Sequence, residues 1–194
     1  MARNPPRTDD ADAMVEAWHA AALDYLGRHA SSAENLRRVL RRRALREARR
    51  AGREPDRSAV APAIEAVMAR LVRAGLIDDT GYAAQRAETL HRRGEPARRI
   101  RARLTAKGVA AEAIDGAIGD LRQRDPDADF RAACRFVRRR RLGPMRPKAG
   151  RQAAHRRDLA ALGRAGFDYP TARRALALPD EAALLAAIGR TAGD

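Results

Sequence analysis

Aromatic residues are scarce in this sequence: three Phe, three Tyr and one Trp among 194 residues. Such a chain lacks the large flat side chains that commonly fill sheet sandwiches. Its Ala- and Leu-rich apolar set suits thin cores between helices. The single cysteine, Cys134, excludes an internal disulfide and reads as a small buried filler within a helix. No apolar run approaches the roughly 18 residues of a membrane span. The segment 1–12 is polar and holds two prolines. It lacks the apolar stretch of a secretory signal, so a disordered tail and a cytoplasmic protein are expected. Phosphate-binding glycine loops and Cys/His clusters with zinc spacing are also missing. His19, His29, His91 and His155 are scattered, with no nucleophile placed beside them. Together these absences argue against an enzyme, a metal site and a bound cofactor.

Arginine is what the chain has in excess. Lys and Arg total 40 against 25 acids, a net charge of +15, and only two of the 40 are lysines. The charge is blocked. Residues 35–57 carry +7, residues 91–107 carry +6 and residues 131–157 carry +11, leaving the remainder at −9. Solvated helix faces would account for some of this. Like charges in blocks repel, however, and a polyanionic partner relieves that cost, so a binding surface repeated along the chain is the functional reading.

Apolar spacing predicts helices throughout. The first, from about Asp10 to Arg28, is marked by Trp18, Ala22, Tyr25 and Leu26. Ser31-Ser32-Ala33-Glu34 reads as a capping box opening the second, which runs to about Arg50. Leu142 to Gly150, with two Pro and two Gly, reads as a loop. Gly75-Leu76, Gly108-Val109 and Gly166-Phe167 read as helix closings in which glycine turns left-handed and the apolar follower packs back. Asp78 or Asp79 is placed to cap the helix that follows.

The helices repeat by number. Leu104, Gly108, Val109, Ile114 and Ile118 each have a counterpart 58 positions on, at Leu162, Gly166, Phe167, Ala172 and Leu176. Leu36, Leu40, Ala44 and Leu45 match Ile100, Leu104, Gly108 and Val109 at an offset of 64. The expected fold is therefore all-α, with three tandem three-helix modules stacked into an elongated body. The modules are placed at 13–75 (with an Arg-rich insertion at 46–59), 76–124 and 127–178, followed by a short tail helix within 179–194. Residues 98–121 also read as a helix-turn-helix, but 111–121 is acidic and carries no Arg, Lys, Asn or Gln. A recognition helix entering a major groove needs such groups.

Leu71-Val72-Arg73-Ala74-Gly75-Leu76-Ile77-Asp78-Asp79, followed by Tyr82-Ala83, resembles the central signature of RecX regulatory proteins. Leu104-Thr105-Ala106-Lys107-Gly108-Val109 resembles a second mark of that family. Ala22 to Leu26 with Ser31 to Leu36 fits its start, and Arg138 to Pro144, Asp158 to Leu162 and Gly166-Phe167 fit its last module. The resemblance spans about residues 18–178. It departs at Ala44, where the family usually has Gly, and at the Arg-rich insertion. It implies tandem three-helix modules in a bacterial cytosolic protein that binds the RecA recombinase and its filament on single-stranded DNA. It further implies lowered RecA ATPase, strand-exchange and coprotease activities, with no catalytic residues to carry over.

Candidate filament- or DNA-binding residues are Arg37, Arg38, Arg41, Arg42, Arg99, Arg103, Arg138, Arg139, Arg140 and Arg141. The expected partners are RecA, the RecA–single-stranded DNA filament and DNA itself. No membrane partner and no cofactor is expected, and the chain is expected to be monomeric. The alternative is a basic helical DNA-binding protein acting without RecA.

Overall fold

The computed structural model describes residues 8–52, 54 and 56–189. Among these residues all the regular structure is helical. The α-helices are α1 (Thr8–Leu26), α2 (Ala33–Arg50), α3 (Arg57–Arg73), α4 (Asp79–Arg92), α5 (Ala97–Ala106), α6 (Ala111–Arg124), α7 (Ala128–Arg140), α8 (Lys148–Ala165), α9 (Tyr169–Leu176) and α10 (Glu181–Gly189). A 3₁₀ turn spans Gly143–Met145. Residues 8–12, expected in a disordered tail, begin α1 instead. That stretch is rich in Asp, the residue type favoured at the positive end of a helix. The expected loop at 142–150 is shorter than its Pro and Gly content suggested. Pro147 takes the N-cap position, so α8 starts at Lys148. The rest of the expected tail, and residues 190–194 of the expected tail-helix segment, lie outside the described residues.

The described chain forms two compact units, residues 8–82 with 107–110, and residues 83–106 with 111–189. The first unit contains the first expected module. The expected second module, 76–124, falls across both units, because residues 76–82 and the Lys107–Ala110 turn belong to the first. Hydrogen bonds explain the placement of that turn. Ser32 Oγ donates to the Lys107 carbonyl at 2.5 Å, and Lys107 Nζ donates to Asn35 Oδ1 at 3.1 Å.

In the first unit α1, α2 and α3 enclose one core. Trp18 and Ala22 face Leu36 and Leu40, and Ile64, Val67, Met68 and Leu71 complete it. Each large aliphatic side chain buried there contributes roughly 1.5–3 kcal/mol. In the second unit α7, α8, α9 and α10 share a core of Val137, Leu162, Phe167, Leu176 and Leu184. Leu184 is fully buried, so α10 is part of this core rather than a loose appendage. Phe136 and Phe167 meet edge to face at 5.8 Å. Cys134 is buried here and burial pushes its thiol pKa up to about 11, as suits a packing residue.

Helix closings follow one pattern. Gly75, Gly94 and Gly166 take positive φ, and the next residue donates back to Leu71, Leu90 and Leu162 respectively. At Gly108 and Gly166 the apolar followers Val109 and Phe167 are buried as expected. At Gly75 the expectation fails: Leu76 is 52% exposed, and Ile77 is the residue that enters the core. Helix α7 ends in the same manner without glycine. Arg141 holds φ 52°, and the Leu142 amide donates to the Val137 carbonyl at 3.0 Å.

Candidate polyanion-binding surfaces

The start of α2 differs from the expected capping box. Ser32 is the N-cap, accepting from the Asn35 amide at 3.3 Å, whereas Ser31 Oγ accepts from Asn35 Nδ2 at 2.8 Å. Glu34 does not reach back to the cap, and pairs with Arg38 at 3.0 Å. The two adjacent aspartates divide the work. Asp78 Oδ1 accepts from the Thr80 amide at 2.9 Å at the start of α4, and Asp79 Oδ1 accepts from the Ala33 amide at 2.7 Å at the start of α2. Both are thus bound to backbone amides at helix starts, which explains two acids in succession without any metal. Among the described residues no group of three or more His, Cys, Asp or Glu is placed to hold a metal ion.

The candidate arginines divide by their partners. On α2, Arg37 and Arg41 both meet Glu65 of α3, at 3.0 and 3.5 Å. Arg38 pairs with Glu34, and the exposed Arg42 donates from Nε to the Arg38 carbonyl at 3.2 Å. Arg99 and Arg103, one turn apart on α5, share Glu95. Arg103 Nε lies 2.7 Å from Glu95 Oε2, a charge contact too poorly aligned to be a hydrogen bond. Arg138, Arg139, Arg140 and Arg141 are exposed at the end of α7. Among the described residues no carboxylate pairs with them. Arg139 and Arg140 lie over Phe136 at 5.7 and 5.9 Å from its ring centre.

Sequence reasoning missed a concave feature of the second unit. A hollow of about 460 Å³ opens between α5, α7 and α8. Arg99 and Arg140 line it together with Arg146, Arg157 and Arg164, while Phe136, Leu142, Ala161 and Ala165 supply apolar wall. Its one acid is Asp158, 1% exposed, which accepts both prongs of Arg146 at 2.8 and 2.9 Å and the Gly143 amide at 2.9 Å. Burial alone would raise the carboxyl pKa of Asp158. The bonds from Arg146 and Gly143, with the nearby Arg157 charge, outweigh it and hold the carboxyl below its ordinary value. The missed arginines had a signal. Arg157, Ala161 and Arg164 are spaced by four and seven, which places them on one helix face.

The chain is 40% identical over 157 residues to the regulatory protein RecX of Myxococcus xanthus, a match covering 80% of this chain and 82% of that relative. The chain belongs to the RecX family. A second RecX, from Halorhodospira halophila, is 33% identical over 172 residues, covering 89% of this chain and 94% of its own. The family model for the second three-helix domain of RecX matches residues 78–118. The all-α fold is similar to two solved structures. A crystal structure of a regulatory protein RecX superposes with a TM-score of 0.64 at 18% identity, covering 90% of this chain and 80% of that one. The RecX of Lactobacillus salivarius gives 0.60 at 16%, covering 85% and 96%. Within this RecX chain, the Gly-Leu-Ile-Asp-Asp signature is accounted for locally by a left-handed closing at Gly75, a core residue at Ile77 and two aspartates bonded to helix-start amides. Among the described residues no helix is long and apolar enough to cross a membrane.

Proposed function

We propose that this chain is a non-enzymatic regulator that binds RecA and its filament on single-stranded DNA and lowers RecA ATPase, strand exchange and coprotease activity. Membership of the RecX family carries this reading, through a relative 40% identical over four-fifths of the chain. The exposed, unpaired arginines ending α7 support contact with a polyanion, since arginines without acidic neighbours are the ones that gain most by meeting phosphate. Arg37, Arg38, Arg41, Arg42, Arg99 and Arg103 serve as secondary contacts, because most of them already meet a carboxylate that a partner must displace.

The test is the DNA-dependent ATPase of RecA titrated with this protein. A dose-dependent fall, weakening steeply with added salt, is expected. An unchanged rate at every ratio, with RecA still coating the DNA, would refute the proposal.

A further inference from the structure

We propose that the arginine-lined hollow between α5, α7 and α8 is a phosphate-binding pocket for single-stranded nucleic acid, which the chain engages directly without RecA. This deepens the preceding reading where that reading includes DNA, but stands or falls by a different measurement. Five arginines, of which Arg99 already meets Glu95, line one concavity of about 460 Å³, with a single acid among the lining residues. That acid is committed: Asp158 is buried and already binds Arg146 and the Gly143 amide. Arg146 is in turn held by Asp158, so its place on the wall is fixed before any ligand arrives. Arg157 and Arg164 are exposed, and among the described residues no carboxylate pairs with either. Helix ends explain part of this clustering. Arg140 and Arg164 lie in the last turns of α7 and α8, where the negative end of the helix dipole favours a cation. That argument does not reach Arg157, which lies in the middle of α8.

The geometry selects the ligand. The volume exceeds what one phosphate needs and suits a group of nucleotide size. Phe136, Leu142, Ala161 and Ala165 give an apolar wall beside the charges, which an unpaired base can cover. Arg138, Arg139 and Arg141 extend the unpaired positive charge along α7 beyond the hollow, as a ligand longer than the pocket requires. A duplex keeps its bases stacked inside and fits a concave site poorly. An acidic peptide would use the charges but leave the apolar wall without a planar partner.

The experiment measures binding of a fluorescent oligothymidylate by anisotropy, with the full chain and no RecA. The variant is Arg157→Ala with Arg164→Ala, which leaves the Asp158–Arg146 pair intact. The control is Arg93→Ala with Arg122→Ala, two exposed arginines that do not line the hollow. Circular dichroism of all three proteins checks folding. The pocket variant is expected to bind roughly tenfold more weakly, and its salt slope to fall by about 1.4, as for two lost single-strand phosphate contacts. The control is expected to bind nearly as the parent does. Equal losses in both variants, or none in the pocket variant, would overturn the proposal. So would duplex DNA binding as tightly as the oligothymidylate, or polyglutamate displacing it with equal potency. Because RecA is absent, failure here leaves the ATPase test of the regulatory reading untouched.

Discussion

Asp158 grips Arg146 through two parallel hydrogen bonds of 2.8 and 2.9 Å, and the same carboxylate takes the Gly143 amide at 2.9 Å. One buried acid thereby ties the 3₁₀ turn to α8. Replacing it with Ala leaves a guanidinium without its partner and a buried amide without an acceptor. Asp158→Ala is expected to cost about 2–4 kcal/mol, read as a lowered midpoint in urea. The pH dependence has a definite sign. The folded carboxyl has a depressed pKa, so as pH falls the unfolded chain takes the proton first. The stabilisation is present above the ordinary Asp value of about 3.9 and is lost as pH drops through the folded value. The difference in stability between parent and Asp158→Ala should therefore shrink in acid. A difference independent of pH would contradict the ion pair as its source.

Gly108 lies in the left-handed region at φ 75°, and a Cβ there would fall on Cβ and Cγ of Glu34. Gly75 has a similar φ of 67°, but nothing lies within 4 Å of the position its Cβ would take. The pair separates two costs. Gly75→Ala is expected to lose about 0.5–1 kcal/mol, the left-handed backbone penalty less what alanine gains by restricting the unfolded chain. Gly108→Ala should lose about 1–3 kcal/mol more through the clash. Adding Glu34→Ala should recover part of that excess, measured by a double-mutant cycle in chemical denaturation.

The carboxylate partners rank the arginines. Arg37 and Arg41 must leave Glu65 to meet a phosphate, whereas Arg138 and Arg139 leave no acid behind. Arg138→Ala with Arg139→Ala is therefore expected to weaken the proposed inhibition of the RecA ATPase more than Arg37→Ala with Arg41→Ala does. The readout is the concentration giving half-inhibition at fixed salt. A larger effect from the α2 pair would reverse this ranking.

Much of the fold is legible in the sequence because its causes are local. Leu104, Gly108 and Val109 repeat as Leu162, Gly166 and Phe167, and the structure gives both sets the same roles: a buried leucine, a left-handed glycine and a buried follower. Helical period and closing glycines need only near neighbours. The charge chemistry is legible only in outline: pairs one turn apart such as Arg38 with Glu34 follow from spacing, but those of Arg37 and Arg41 with Glu65 and of Arg146 with Asp158 join different elements. The basic block 131–157 stops one residue before Asp158, the acid that binds Arg146. Within that block Arg131 pairs with Asp125, and Arg151 donates to the carbonyls of Pro144 and Arg146 at 2.7 and 3.0 Å. Several of its cations thus fasten the fold, and counting charge along the chain cannot separate these from the ones facing solvent.

His91 is half-buried near Glu88, Asp129, Arg131 and Arg135, and burial, the largest influence, pushes its pKa below the ordinary value. The two acids oppose that shift and the two arginines add to it. On acidification the unfolded chain binds the proton before the folded one. Stability is then expected to decline as pH falls below about 6.5, well above the range where Asp158 titrates. His91→Gln, which cannot titrate, should flatten the stability profile between about pH 6.5 and 5. An unchanged slope in the variant would assign the decline to other groups.

Arg141 is the one non-glycine residue at positive φ among the described residues, in the position where Gly75, Gly94 and Gly166 close other helices. A side chain there costs about 1–2 kcal/mol in backbone strain. Glycine removes the strain but adds freedom to the unfolded chain, which offsets about half of the gain. Arg141→Gly is therefore expected to stabilise the protein by about 0.5–1 kcal/mol, seen as a higher melting temperature. The same change removes a cation beside the proposed phosphate pocket, so oligothymidylate binding should weaken as stability rises. Opposite movement of the two measurements would identify Arg141 as a residue whose strain is kept for binding. A stability gain with unaltered binding would assign the arginine no part in nucleic-acid contact.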